Sequence, residues 1–167
     1  MNKTRLFYLA VFIACVSLLG FGLFLEHVKD IEPCPLCIFQ RVAYIAVGLV
    51  ALVAAIHNAK NWGRYIYDGL ILVAAGTGAG IAGRQVWLQH LPPDQVPSCG
   101  PGLDYILDTF PLSRALKMIF SGSGECAEVH WTFLGFSIAE WSLLWFVIFI
   151  TATVIMLAIT IKNKSVA

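Results

Sequence analysis

The sequence predicts an all-α integral membrane protein: a bundle of four transmembrane helices, with a short amphipathic helix in the second of two outer loops. Three observations carry this. The 167-residue chain is 59% hydrophobic and 13% charged, with a mean hydropathy of +0.79. Soluble domains carry about 45–50% apolar and about 25% charged residues, so this composition cannot cover a water-facing surface. Long uncharged runs recur at the length a bilayer demands, about 20 residues. Lysine and arginine also gather in the segments that a four-span protein places on one side. The length suits one domain, residues 1–167. A net charge of +1 gives no reason to invoke nucleic acid.

The first run, Leu6 to Leu25, carries no charge and is long enough to span. It exceeds the apolar core of a signal peptide, about 7–15 residues, and no small-x-small cleavage site ends it. The second, Val42 to Ile56, is shorter and reaches spanning length if its helix begins near Cys37. The third, Tyr65 to Gly83, holds one charge, Asp68. The fourth, Trp141 to Ile161, is again uncharged and of spanning length. Backbone groups in lipid must pair within their own segment, which selects helices. The expected spans are about 6–25, 38–57, 65–83 and 141–161, with outer loops at about 26–37 and 84–140. Lys3, Arg5, Lys60, Arg64, Lys162 and Lys164 then share one side, while nine of the ten acids lie on the other. The basic side is cytoplasmic by the positive-inside rule, so both termini are expected there.

Between the third and fourth spans, "LPPDQVPSCGPG" has four prolines that exclude regular helix. After Pro111, the residues Leu112, Ala115, Leu116, Ile119 and Phe120 recur at helical spacing, and Gly122 suits a stop. This is the amphipathic helix, lying on the outer leaflet or folded onto the bundle. In the third span Gly76 and Gly80, echoed by Ala79 and Gly83, read as a small-residue stripe for packing within the bundle.

The chemistry lies in the cysteines. Cys15 falls in mid-helix, where a thiol behaves as a small hydrophobe. Cys34, Cys37, Cys99 and Cys126 all fall on the outer side. Four cysteines in an oxidising compartment point to disulfides. Zinc is disfavoured, because Cys99 and Cys126 lie far apart in the chain and do not form a second close pair. Two inert staples compete with a redox relay. A Cys-x-x-Cys loop is too small to contribute much entropic stability, and this spacing is typical of reversible dithiols. Cys37 falls at the start of the second helix, where the dipole favours a thiolate. Arg41 stands one turn further on the same face. Its charge can tune Cys37, or anchor the helix at the headgroups. Cys99, in a Pro/Gly-rich segment, suits attack by another protein's thiolate. Cys126 follows Gly122-Ser123-Gly124 and can carry exchange to the Cys34–Cys37 pair. No haem-attachment or Rossmann motif appears. By elimination the electron acceptor is a lipid-soluble quinone near Cys37 and Arg41.

With "PCPLCIFQR" before the second helix, Cys99 and Cys126 in the outer loop, and "GECAEVHWTFLGF" leading to the fourth helix, the chain resembles the disulfide bond formation protein B (DsbB) family. The resemblance runs through most of the chain. It implies a four-helix bundle in the bacterial inner membrane, bound ubiquinone or menaquinone, and a periplasmic DsbA-like thiol oxidoreductase as partner. It implies that Cys34 and Cys37 are the quinone-proximal pair, with Cys37 touching quinone and Arg41 assisting. Cys99 and Cys126 would be the partner-proximal pair, with Cys99 taking the mixed disulfide. The family's quinone pocket also uses the outer end of the third helix, here "GRQVWLQH", which makes Arg84, Gln85 and His90 candidate contacts. Pro35 within the pair is a departure expected to shift its potential. The resting disulfide pattern stays open: Cys34–Cys37 with Cys99–Cys126, or a bridge between the loops. Two other readings remain: a tetraspan scaffold with structural disulfides, and an enzyme similar to vitamin K epoxide reductase, where the Cys-x-x-Cys follows the loop cysteines instead of preceding them.

Overall fold

The structure, a computed structural model, describes residues 3–29, 33–58, 62–92, 94–96, 111, 124–129 and 131–165. Cys99 and the amphipathic segment after Pro111 lie outside them. Four long helices dominate: α1 (Lys3–Lys29), α2 (Pro35–His57), α3 (Trp62–Gln89) and α5 (Ile138–Ser165). Between α3 and α5 come a single turn, α4 (Gly124–Ala127), and a two-stranded hairpin, β1 (Thr132–Phe133) and β2 (Phe136–Ser137). All four long helices are long and apolar enough to cross a membrane, which makes this a multi-pass membrane protein. Each extends past its uncharged run, because basic, acidic and amide side chains at a helix mouth can reach the interface without breaking the helix. The extension of α3 matters most, since it carries Gln85 into the bundle.

Local chemistry sets the ends. Cys34 is the N-cap of α2 and Pro35 follows at the first helical position, where its missing N–H costs nothing. Asn58 closes α2 in the left-handed region, φ 44°, a common helix stop. A capping box starts α5. The Ser137 Oγ accepts from the Glu140 N–H at 3.3 Å, and the Glu140 carboxylate accepts from the Ser137 N–H at 2.7 Å. Just before it, Leu134 (φ 54°) and Gly135 (φ 84°) form the two-residue hairpin turn, the geometry whose twist matches the flanking strands.

The helices pack in the order α1 on α2, α2 on α3 and α3 on α5, with no extended seam joining α1 to α5 among the described residues. Lipid tails are as apolar as leucine, so close packing, not the hydrophobic effect, holds such a bundle together. The closest approach is at Gly78, where a Cβ would overlap the Phe146 ring. That ring is fully buried and stacks on Tyr44 at 4.3 Å between centroids. Here the sequence expectation is corrected. A Cβ at Gly76, Gly80 or Gly83 would meet nothing within 4 Å. The inward face of α3 runs through Ile71, Ala75, Gly78, Ala82 and Gln85, and Gly76 and Gly80 project from the other side. Ala79 alone of that stripe packs on the core. Cys15 is buried beside Gly48, as a small apolar side chain should be.

At the end remote from Cys34, Asp68 is fully buried. Its carboxylate accepts from the Tyr8 hydroxyl at 2.7 Å and lies 3.7 Å from Arg64, whose Nη2 donates to the Met156 carbonyl at 3.2 Å. This group ties α1, α3 and α5 together. A buried charge is tolerated there because it is paired.

Candidate functional site

The site forms where the first turn of α2 meets the last turns of α3. Cys34 has an extended backbone, φ −65° and ψ 160°. Its carbonyl accepts from the Ile38 N–H at 3.1 Å, the first helical bond. Its sulfur accepts from the Cys37 N–H at 3.3 Å. The Cys-x-x-Cys spacing is thus the N-cap spacing, and it brings the two sulfurs to 2.8 Å, with Cys34 donating to Cys37. The third cysteine completes the group. Cys126, in α4 and fully buried, hydrogen-bonds to Cys34. Leu36, Ile81 and Leu88 pack with these cysteines.

That hydrogen bond to Cys126, then the one to Cys37, then burial, push the Cys34 thiol up. Cys34 therefore stays protonated and serves as a donor. Donors converge on Cys37: the Cys34 thiol and the Gln85 amide nitrogen, the latter at 3.3 Å. The same nitrogen lies 3.3 Å from the Cys34 sulfur. The Gln85 oxygen accepts from the Gln40 amide at 2.6 Å. A sulfur that accepts several donors at a helix N-terminus is arranged to hold negative charge.

Arg41 lines the same cavity as Cys37, but its hydrogen bonds run to α1. Nη1 pairs with the Glu26 carboxylate, and Nη2 donates to the Gly22 carbonyl at 3.3 Å. Gln85 is the α3 candidate that reaches the sulfurs. Arg84 sits 4.1 Å over the Trp87 ring. His90 contacts the Val86 carbonyl at 2.8 Å and lies 4.0 Å from Glu140. Neither lines the cavity beside Cys37. Sequence reasoning missed Gln40 and Glu26. The available signal for Gln40 is its position, three residues after Cys37 on a helix with almost no other polar side chain.

The cavity beside the sulfurs has a volume of ≈ 120 Å³ and is walled by Cys34, Cys37, Arg41, Tyr44 and Gln85. It shares Tyr44, Trp131 and Ser142 with a larger apolar cavity of ≈ 390 Å³, which adds Phe21, Phe133 and Trp145. This second cavity lies between α1 and α5, where the bundle has no extended seam among the described residues. The hairpin covers part of it, with Trp131 edge-on to Phe21 at 5.7 Å.

The chain matches known proteins over most of its length. Residues 4–156 match the family described as disulfide bond formation protein DsbB. The chain is similar to the disulfide bond formation protein B of Hahella chejuensis, 54% identical over 143 residues, covering 86% of this chain and 87% of that protein. It is 53% identical to the protein of that name from an Azoarcus species, covering 86% of each chain. For the Aromatoleum aromaticum protein of the same name the identity is 46%, covering 93% of each. The chain belongs to the disulfide bond formation protein B family.

Proposed function

We propose that this protein is a protein-dithiol:quinone oxidoreductase of the bacterial inner membrane, with both termini cytoplasmic and its loop cysteines periplasmic. It oxidises a periplasmic DsbA-like partner and passes the electrons to ubiquinone or menaquinone, which sustains disulfide formation. The observation that carries this reading is the group of three sulfurs, Cys34, Cys37 and Cys126, beside a cavity that shares walls with an apolar space between α1 and α5.

The partner's thiolate attacks the Cys99–Cys126 disulfide at Cys99. The partner's second thiol displaces Cys99, which leaves the partner oxidised and Cys99 and Cys126 as thiols. The Cys126 thiolate then attacks Cys34 of the Cys34–Cys37 disulfide and releases Cys37 as thiolate. Contact of Cys126 with Cys34 supports this choice of sulfur. Cys99 resolves the Cys34–Cys126 bridge, which restores Cys99–Cys126 and returns Cys34 to the thiol. Quinone, when bound, would supply the acceptor for two electrons and two protons. The residues present suit it: an apolar wall for the ring and chain, with Arg41, Gln85 and the Tyr44 hydroxyl as polar groups. Cys34 and Cys37 close again to a disulfide as they give up the electron pair; Cys34 gives up one proton, and the second, lost to water when the partner's attacking thiol ionised, is taken back from water. Arg41, held by Glu26 and Gly22, supplies a fixed positive charge on the cavity wall.

The purified protein, given reduced partner and a soluble quinone, is expected to consume one quinone per partner disulfide formed. Cys99→Ser is expected to stop transfer from the partner while the Cys34–Cys37 pair still cycles with a small dithiol and quinone. A scaffold with structural disulfides would consume no quinone, and its cysteines would stay oxidised throughout.

A further inference from the structure

We propose that Gln85 is the positioning residue of the Cys34–Cys37 pair, and that Gln40 locks its amide with the NH2 group toward the sulfurs. This deepens the proposed function, since it rests on the reading of Cys34 and Cys37 as a reversible pair. Gln85 and Gln40 are both only 4% exposed. A buried amide in a membrane-spanning helix is costly unless its hydrogen bonds are made. A leucine would fill the position, as Leu88 does one turn on. Gln85 instead commits its oxygen to Gln40 at 2.6 Å and its nitrogen to two sulfurs, each at 3.3 Å. The Cys37 sulfur is nearer that nitrogen than the oxygen, which lies at 3.7 Å.

The lock follows from donor and acceptor geometry. If Gln85 alone turned over, its NH2 would face the Gln40 NH2, donor against donor. While Gln40 holds the oxygen, the donor end faces the pair. A neutral disulfide or thiol sulfur is a weak acceptor. An anionic sulfur is a strong one, and charge-assisted hydrogen bonds are about twice as strong as neutral ones. Gln85 therefore stabilises the reduced, anionic form more than the disulfide and makes the pair more oxidising. It does this from α3 with no charge of its own.

The test uses the full chain carrying Cys99→Ser and Cys126→Ser, in quinone-free detergent micelles, equilibrated with glutathione at fixed pH and trapped with a thiol reagent. This readout involves neither quinone nor partner. Gln85→Leu is expected to shift the equilibrium about tenfold toward the Cys34–Cys37 disulfide, about 30 mV for a two-electron couple. Gln40→Leu is expected to shift it the same way by a smaller factor. The double variant should shift it no further than Gln85→Leu alone, because Gln40 acts through Gln85. A Gln85→Leu equilibrium within twofold of the reference, with only the melting temperature lowered, would reduce Gln85 to a tie between α2 and α3 and overturn the proposal. So would additive effects of the two leucines. Should Gln85→Leu fail to fold, Gln85→Asn, which withdraws the amide by one carbon, and Gln40→Leu decide on the same criterion. A reference chain whose Cys34 and Cys37 never form a disulfide would overturn the redox-pair reading itself, and this proposal with it.

Discussion

Cys37→Ala is expected to lower quinone consumption by on the order of 10³-fold or more, the scale of losing the group that performs a reaction step, while leaving the fold intact. The variant should be folded because Cys37 is half-buried at the rim of the bundle, and its backbone N–H still reaches the Cys34 sulfur that caps α2. It should be inactive because that sulfur accepts from both the Cys34 thiol and the Gln85 amide, which favour its thiolate. The Cys34 thiol, pushed up by its hydrogen bonds to Cys126 and Cys37 and by burial, cannot replace it. A thiol is a nucleophile and electron donor only as thiolate, and a raised thiol is largely protonated near neutral pH. The control is Cys15→Ala. Cys15 is buried against Gly48 in the middle of α1, and its loss should leave turnover unchanged. Turnover assays with a small dithiol and a soluble quinone, on protein whose helicity matches the parent, check both variants. Substantial turnover by Cys37→Ala would separate quinone reduction from the pair.

Gly78→Val is expected to have the largest effect on folding. At this position α3 meets α5, and even a Cβ overlaps the Phe146 ring. The ring cannot retreat easily, because it is fully buried and stacked on Tyr44, whose hydroxyl contacts the Ser142 Oγ at 3.0 Å. Overpacking of this kind costs about 3 kcal/mol, and in a bundle held by close packing nothing else replaces the lost contact. The melting temperature in detergent should fall steeply, and Phe146→Ala should restore part of it. Gly76→Ala and Gly80→Ala are the contrast. Nothing lies within 4 Å of a Cβ at either, and alanine is the better helix former, so their melting temperatures should hold or rise. Equal sensitivity at Gly76 and Gly78 would mean that the face of α3 has been misassigned.

The contrast between those glycines shows what a sequence exposes. Spacing by four marked Gly76 and Gly80 as a pair, but spacing carries no phase until the neighbouring helix is known. Gly78 carried no motif and took the contact. The four spans and the close approach of Cys34 to Cys37 were legible, because uncharged length and a Cys-x-x-Cys are local signals. So was the inert setting of Cys15. The end of α3 was not, since Arg84 looked like a boundary charge and the helix continues to Gln89. That extension brings Gln85 to the sulfurs. Gln85 was expected as a quinone contact, and its partners here are Cys34, Cys37 and Gln40. The hairpin over the apolar cavity was also hidden. Its turn uses Leu134 with positive φ, where glycine, asparagine or aspartate would have signalled it. Arg41 was expected beside Cys37 by its i+4 spacing. Its hydrogen bonds with Glu26 and Gly22 depend on how α1 lies on α2, which no spacing within α2 encodes.

In the proposed reaction the Cys37 sulfur, as an anion, meets a quinone ring in the cavity it borders. Visible absorption of Cys34→Ser protein titrated with quinone tests this most directly, because that variant removes the disulfide partner and leaves Cys37 facing the cavity. A long-wavelength charge-transfer band should grow with quinone, saturate at one equivalent, fade on acidification and vanish in Cys34→Ser/Cys37→Ser. Absence of the band with quinone demonstrably bound, or its persistence without Cys37, would contradict the claim.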